Sequence, residues 1–323
     1  MSEFENRIDL KLLNEKVAKI KTEARKALVG QDKMLDLILV ALLAEGHVLI
    51  EGVPGVAKTL TARLTARMID AEFKRIQFTP DLMPADVLGT SIFNPKKAEF
   101  DYKKGPIFSN LVLIDEINRA PAKTQASLFE VMEEKQVTND GTTYPLDPLF
   151  MVLATQNPIE QEGTYRLPEA QLDRFIFKIK VDYPKLEEEF QVLHLVNGNF
   201  GFKQLSFIEP VINRKEVIEI RENLRQILTK DSLVEYIAHL VGKTRSHPSL
   251  YLGASPRASI DLLRSSKAYA AMQGRDFVTP EDIQYLFKPV VDHRIILNPE
   301  AEMQGLTSTE VCQQIIEQVT VPK

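Results

Sequence analysis

The stretch 51-EGVPGVAKTL-60 decides how this chain is interpreted. Between Gly52 and Thr59 it nearly matches the phosphate-loop pattern G-x-x-x-x-G-K-[ST]. The one departure is the position before Lys58, where the pattern has glycine and this chain has Ala57. We expect Ala57 to open a helix with negative φ, so that its methyl group is accepted there.

The surroundings of this loop favour a phosphate site over an ordinary glycine-containing turn. The apolar run 48-VLI-50 before it predicts a strand, and 58-KTLTARLTARMI-69 after it predicts a helix. A strand, a loop and a helix in this order are the context that the motif requires. Backbone N–H groups of such a loop, together with the helix N-terminus, hold phosphate oxygens.

Several residues of the loop are therefore expected to bind a nucleotide. Lys58 would reach the β- and γ-phosphates, and the Thr59 hydroxyl would ligate Mg²⁺. The full predicted set is Gly52, Val53, Pro54, Gly55, Val56, Ala57, Lys58, Thr59 and Leu60.

Two adjacent acids follow the apolar run 111-LVLI-114. Ligands of open α/β sheets bind at the carboxyl ends of the strands, so Asp115 and Glu116 are placed for chemistry. Asp115 is predicted to hold Mg²⁺ and Glu116 to polarise an attacking water. By themselves, two acids at the end of a strand are commonly only solvated, and it is the phosphate loop that strengthens the prediction.

Three polar residues lie in further motifs, and each has an ordinary structural explanation. Asn157, at the end of 153-LATQNP-158, either orients the water or caps the strand with an Asx turn. Arg174 is by itself an ordinary surface arginine in a salt bridge. Arg257 follows Ser255-Pro256 in the first turn of a helix, where a cation needs an anion, either a neighbouring carboxylate or a ligand phosphate.

Residues 1–184 are predicted to form an α/β domain. The runs 48-VLI-50, 111-LVLI-114 and 149-LFMVLAT-155 lack polar alternation, which is typical of a parallel sheet covered on both faces. In 175-FIFKIKV-181 apolar and lysine residues alternate, which indicates an edge strand with one wet face.

Residues 185–323 are predicted to form a smaller helical domain, with a boundary near 182-DYP-184. Three glutamates, Glu187 to Glu189, fill the first turn of its first helix, where the helix dipole favours acids. No strand is predicted before the last residues of the chain. Further helices are predicted near 214–229, 231–246, 256–273 and 280–290.

The composition excludes some classes of protein. One cysteine, Cys312, leaves no intrachain disulfide, and the N-terminus shows no signal peptide, so a cytoplasmic protein is expected. The run 34-MLDLILVALLA-44 is too short to cross a membrane and predicts a buried helix. The net charge of -5 argues against sequence-independent binding of nucleic acid. The histidines show no spacing of metal ligands.

Taken together, the motifs resemble the MoxR family of AAA+ ATPases over most of residues 28–260. The matching segments are 28-LVGQDKML-35, 52-GVPGVAKT-59, 75-RIQFTPDLMPADVLG-89, 104-KGPIF-108, 111-LVLIDEINRAPAKTQASLFEVMEE-134, 153-LATQNP-158, 166-RLPEAQLDRF-175 and 253-GASPRAS-259.

The resemblance implies an AAA+ core with a parallel sheet flanked by helices, followed by an all-α lid. It implies that Lys58 and Thr59 are the Walker A pair, that Asp115 and Glu116 are the Walker B pair, and that Asn157 is sensor 1. Arg174 would be the arginine finger that reaches the nucleotide of a neighbouring subunit, and Arg257 would be sensor 2. Val29 and Gly30 would lie near the adenine.

The resemblance also implies ATP and Mg²⁺ as ligands, a hexameric ring, protein clients and a partner with a von Willebrand A domain. Segments 90–105 and 135–146 resemble two hairpins that face the pore of such rings. A DNA-acting motor and a nucleotide-gated scaffold with little turnover are the alternatives. The first would need a basic pore, and the second would not need Glu116 or Arg174.

Overall fold

The computed structural model describes residues 10–158, 165, 167–197 and 205–322. Its centre is a parallel sheet in the order β2-β5-β8-β1-β9. The strands are β1 (His47–Gly52), β2 (Phe73–Gln77), β5 (Leu111–Asp115), β8 (Met151–Gln156) and β9 (Phe175–Val181). All four strand pairings are parallel, which confirms the predicted sheet.

The central strands are buried on both faces, as their apolar runs predicted. Leu111 to Ile114 in β5 are each 0% exposed. β9 lies at an edge of the sheet, as predicted, and its Lys178 Nζ lies 2.6 Å from Glu51 on β1. The opposite edge strand, β2, was not predicted as a strand, because its Lys74 and Arg75 interrupt the apolar pattern.

Helices cover the two faces of the sheet. The second helix contacts β1 and β9, the helix after the phosphate loop contacts β5, and the first helix packs against that helix. The run predicted as a buried helix, 34–44, makes up most of α2. The helices of the N-terminal part are α1 (Lys11–Ala24), α2 (Asp32–Leu43), α3 (Lys58–Met68), α4 (Pro84–Leu88), α5 (Ala122–Glu134) and α6 (Glu169–Leu172). Asp36, the charge inside the run of α2, pairs with Lys21 of α1 at 2.8 Å.

Two antiparallel hairpins project from the core, at the positions where the sequence resembled hairpin inserts. They are formed by β3 (Gly89–Asn94) with β4 (Glu99–Lys104), and by β6 (Gln136–Asn139) with β7 (Thr142–Pro145). The Ser91 hydroxyl donates to Asp140 at 2.6 Å, and the rings of Tyr102 and Tyr144 stack with centroids 4.5 Å apart. The two hairpins therefore contact each other along their sides.

The C-terminal part is mainly helical. It contains α7 (Leu186–Asn197), α8 (Arg214–Leu224), α9 (Asp231–Arg245), α10 (Pro256–Met272), α11 (Pro280–Val291), α12 (Pro299–Met303) and α13 (Ser308–Gln318). The predicted cap is present: the Ser255 hydroxyl accepts the Arg257 backbone N–H at 3.1 Å.

One prediction for this part was wrong. A short antiparallel pair, β10 (Leu250–Leu252) and β11 (Ile296–Leu297), lies inside it, and the last residues form α13 instead of a strand. Segments this short carry too few residues to show alternation, and only their pairing across the fold makes them strands.

Arg294 fixes where the C-terminal helices sit on the sheet. Its side chain is 1% exposed, and Nη2 donates to the carbonyl of Phe175, the first residue of β9, at 2.9 Å. Its guanidinium lies 3.0 Å from the Asp173 carboxylate and 2.5 Å from that of Asp261 on α10. The start of α10 is thereby held at the amino end of β9.

His47, the first residue of β1, links this strand to β8 and to α5. It is 5% exposed; its Nδ1 accepts the Val152 backbone N–H at 3.0 Å, and its Nε2 donates to the Met132 carbonyl at 3.0 Å. Burial lowers the pKa of His47 to about 4. The ring is therefore neutral in the folded protein at neutral pH.

This histidine should make the fold acid-sensitive. Below pH 6.5 the unfolded chain binds a proton at His47, whereas the folded chain does so only near pH 4, so its stabilisation is complete above pH 6.5 and is lost as the pH falls. We expect the free energy of unfolding to lose roughly 3 kcal/mol across that window. Urea unfolding of the wild type and of His47→Gln at several pH values measures this, and identical pH profiles would contradict it.

Candidate functional site

The phosphate loop, residues 52–60, connects β1 to α3 at the carboxyl edge of the sheet. Its two glycines are required for different reasons. A Cβ on Gly52 would lie 2.7 Å from the Val181 carbonyl oxygen of β9, so no side chain fits there. Gly55 has φ +89 and open space around it, so its requirement is conformational.

Ala57 departs from its expected conformation. It has φ +61 and ψ 19, in the left-handed region, so the prediction of negative φ was wrong. The residue before Lys58 caps α3, and the loop must reverse there to aim its N–H groups inward. A non-glycine residue in this region costs about 1–2 kcal/mol. Packing of the half-buried methyl group against the core offsets part of that cost.

The remaining loop residues divide into packing and ligand-facing positions. Val56 is 4% exposed, and Val53 and Leu60 pack partly buried against the same core. The Lys58 amine donates to the Gly52 carbonyl, so its charge lies folded over the loop. A bound phosphate would offer that amine a stronger, charged acceptor.

Asp115 ends β5 at the same edge of the sheet. Its Oδ1 accepts the Thr155 hydroxyl of β8 at 2.5 Å. Its Oδ2 accepts Nη2 and Nε of Arg75, at 2.6 and 2.9 Å. The carboxylate is thus fixed between side chains of the two neighbouring strands, β8 and β2.

Glu116 follows in a strained conformation. It has φ +57, and its backbone N–H donates to the Thr155 hydroxyl at 3.0 Å. Its side chain accepts Nε2 of Gln77 at 2.7 Å and lies 3.1 Å from Nε of Arg119. Left-handed backbone at a non-glycine residue costs about 1–3 kcal/mol and concentrates at functional sites.

The sequence analysis assigned no role to Arg75 and Gln77. They lie on one face of β2, two residues apart, and Arg75 Nη2 donates to Gln77 Oε1 at 2.9 Å. In the parallel register Gln77 pairs with Asp115, so the end of β2 reaches both acids. The strand pairing was the missing signal, because nothing local to 73-FKRIQ-77 shows that it adjoins β5.

Asn157 and the predicted adenine contacts also lie at this edge. Asn157 is 8% exposed and follows the last residue of β8, beside the strand that carries Thr155. Gly30, next to Val29, has φ +72, and the Glu188 carboxylate of α7 lies where a Cβ of Gly30 would be, within 2.6 Å. The start of α7 therefore borders the predicted adenine site.

The donor set at this edge suits Mg²⁺. The Asp115 carboxylate and the Thr59 hydroxyl are both oxygen ligands, at the ends of β5 and the phosphate loop. Among the described residues there is no cluster of three acids, histidines or cysteines that could hold a metal ion. Mg²⁺ commonly uses one or two protein oxygens and completes its shell with water and nucleotide phosphates, so a sparse site fits it.

Arg174 and Arg257 lie at the other end of the sheet. Arg174 directly precedes β9, whose first residue pairs with His47 at the amino end of β1. Both arginines contact the Glu133 carboxylate, Arg257 Nη2 at 2.7 Å and Arg174 more closely. A strand of six residues separates this group from the phosphate loop, about 20 Å at ~3.3 Å per residue.

Each arginine therefore has the carboxylate partner that its ordinary interpretation required. Neither lies near the phosphate loop of its own chain. A contact with nucleotide would have to be with that of another copy. Arg166, in the segment that resembled the arginine-finger motif, lies outside the described residues.

Known proteins share these features. Residues 47–177 match the family model described as ATPase family associated with various cellular activities (AAA), and residues 242–316 match the AAA lid domain. Chaperone MoxR1 of Mycobacterium tuberculosis is 40% identical over 93% of this chain and 81% of its own length.

The chain belongs to the MoxR family of AAA+ ATPases.

Two further comparisons agree with this membership. The uncharacterised protein YeaC of Bacillus subtilis is 50% identical over 92% of each chain. The crystal structure of a proposed ATPase from Cytophaga hutchinsonii has a TM-score of 0.90 and 44% identity, and the match covers 97% of each chain. In the described part of this MoxR-family ATPase, no helix has the length and apolarity needed to cross a membrane.

The left-handed Ala57 and the neighbouring Lys58 should respond differently to substitution. Ala57→Gly relieves backbone strain, so the free energy of unfolding should rise, or stay equal if the lost methyl packing cancels the gain. ATP affinity should stay within about threefold. Lys58→Ala removes the charge that meets the phosphates, so ATP affinity should fall at least about tenfold.

Isothermal titration with ATP and Mg²⁺ measures the affinities, and urea unfolding measures the stabilities. A large gain of affinity in Ala57→Gly would show that the methyl group obstructs the nucleotide. Unchanged affinity in Lys58→Ala would remove the loop from the site.

Proposed function

We propose that this MoxR-family protein hydrolyses ATP at the carboxyl edge of its sheet with bound Mg²⁺. The proposal depends on one observation: the phosphate loop, the two acids of β5 and Asn157 converge on that single edge. Thr59 and Asp115 would hold Mg²⁺, which neutralises charge on the phosphates when bound.

Within that site the residues have distinct roles. Lys58 turns from the Gly52 carbonyl to the β- and γ-phosphates. Glu116 polarises the attacking water, and Gln77 keeps that carboxylate directed along the sheet edge. Asn157 orients the water or contacts the γ-phosphate.

We further propose that the site is completed by a neighbouring copy in a ring, which the family resemblance suggests is a hexamer. Arg174 and Arg257 support this, because two guanidinium groups stand together about 20 Å from the phosphate loop of their own chain. Charge that develops on the transferred phosphoryl group is stabilised by added arginines, worth about 10³ to 10⁵ in rate.

The work done by hydrolysis is proposed to be remodelling or maturation of protein complexes in the cytoplasm. The name of the Mycobacterium tuberculosis relative, a chaperone, supports this. A partner with a von Willebrand A domain would present clients, and the two hairpins would face the pore.

A nucleic-acid motor is less favoured by the structure. The lysines of the β3–β4 hairpin stand among acids, and Lys97 lies 3.7 Å from Asp101. Such a hairpin offers little net positive charge to a phosphate backbone.

The chemistry is tested with Glu116→Gln, which keeps the shape of the side chain but removes its charge. Because the water then lacks a base, we expect ATP turnover to fall at least about 100-fold while ATP affinity stays near that of the wild type. Steady-state phosphate release with and without Mg²⁺ gives the rates. Equal turnover in wild type and variant would overturn the role of this carboxylate. The variant should also retain clients and partners in a pull-down with ATP.

The shared site is tested by mixing two inactive variants. Lys58→Ala lacks the phosphate lysine, and Arg174→Ala lacks the distant arginine, so each should be slow alone. In a mixture some interfaces combine an intact loop with an intact Arg174, so turnover should recover. Arg214→Ala, which removes another surface arginine in an ion pair, is the matched control and should stay active. No recovery in the mixture would place Arg174 outside the site of a neighbour.

A further inference from the structure

Helix α7 turns its apolar side to solvent. Leu186, Phe190 and Leu193 recur at spacings of four and three residues, which places them in one stripe on the helix. They are 66%, 55% and 59% exposed, and no residue of α7 is buried. A contiguous exposed apolar stripe of this kind marks a contact surface.

The stripe faces outward, because the residues on the opposite face of α7 are the ones that the rest of the structure covers. Glu188, Val192 and Leu195 repeat with the same spacing on the opposite side, and all three are partly covered. Glu188 is the residue whose carboxylate lies against Gly30. Helix α7 is thus held at the edge of the sheet that carries the phosphate loop, and its stripe faces away from the chain.

Exposed acids flank the stripe. At about 100° per residue, Glu187 lies on one side of it and Glu189 on the other. Both are exposed. The surface is therefore apolar along its centre and negative along its margins.

A surface with more basic than acidic side chains lies at the other end of the sheet, around α10. Its basic residues are Lys135, Arg174, Arg257 and Arg264, and its acids are Glu45, Glu133 and Asp261. Arg257, Ile260 and Arg264 share one face of that helix, at spacings of three and four residues. Ile260 is 51% exposed and Arg264 is exposed as well. Ile260 offers an apolar contact to the α7 stripe and Arg264 a positive charge to its glutamates, whereas the Arg257 guanidinium is paired with Glu133.

We propose that the stripe of α7 docks on the Arg257–Arg264 face of α10 in a second copy of this chain. The inference rests on the proposed function, because a neighbour that delivers Arg174 and Arg257 to the phosphate loop also brings its α10 to the edge where α7 lies. The contact joins two different surfaces, so it repeats from copy to copy and closes only as a ring. The partner of this apolar face is therefore another subunit and not a client.

Charge reversal tests the pairing. The variant Glu187→Arg/Glu189→Arg reverses the charges beside the α7 stripe, and Arg264→Glu reverses the charge on the α10 face. Each alone should need at least about tenfold more protein for half-maximal ATP turnover, with smaller assemblies in sedimentation velocity. Mixed in equal amounts, the two variants can alternate around a ring in which every interface pairs opposite charges, either as in the wild type or with both charges reversed, so assembly and turnover should recover. Failure to recover, or wild-type assembly of either variant alone, would overturn the proposal.

The apolar component is tested by Phe190→Ser/Leu193→Ser, with Leu12→Ser as control, since Leu12 is a similarly exposed leucine on α1. We expect the first to lose assembly and the control to keep it, while both bind a fluorescent ATP analogue normally. Wild-type assembly of the double variant would assign the stripe to a different partner and overturn the docking.

These outcomes are separable from the proposed function. If Lys58→Ala and Arg174→Ala complement each other but the α7 variants assemble normally, only the docking surface is wrong. If those two variants do not complement and the wild type stays a monomer with ATP, the shared site is wrong and the docking fails with it.

Discussion

The ion pairs of Arg294 fix the position of the C-terminal helices relative to the sheet, and the arrangement of the polar residues depends on that position. This guanidinium is buried between Asp173, two residues before β9, and Asp261 of α10, and it also binds the Phe175 carbonyl. Burial raises the pKa of Asp261 despite the neighbouring arginine, which shows how dry the contact is. Removing one partner from such a pair costs about 3–5 kcal/mol, because the other charge is left buried alone.

As a consequence of this contact, the two arginines and the phosphate loop lie at opposite ends of the sheet. The contact holds the C-terminal helices at the amino ends of the strands, so Arg257 stands beside Arg174 over Glu133. The phosphate loop and the two acids stand at the carboxyl ends. One chain therefore carries its phosphate loop and its two arginines at opposite ends of the sheet, about 20 Å apart.

Two of the seven non-glycine residues with positive φ in the described chain lie at the carboxyl edge of the sheet. Ala57 and Glu116, one in the phosphate loop and one after β5, both have positive φ without being glycine. Hydrogen bonds around them hold these conformations, including that from the Glu116 N–H to Thr155. Such backbone strain is common at functional sites, where the directions of N–H groups and carboxylates matter.

The sequence alone predicted the parallel sheet, the edge strand β9, the buried helix α2 and the residues at the carboxyl edge. It could do so because strand burial, glycine placement and polar residues at strand ends are local patterns. It missed β2 as a strand, and with it Arg75 and Gln77, because a polar edge strand has no apolar signature. It also misjudged Ala57, since φ depends on how the loop must turn.

Only the tertiary structure decided where the two arginines stand. Sequence order places Arg174 just before a strand and Arg257 at the start of a helix, but it cannot say which end of the sheet that helix adjoins. Long-range burial of Arg294 settles this, with partners more than 30 residues away along the chain. The sequence determined which chemical groups this ATPase has, and packing decided that no single copy holds them in one place.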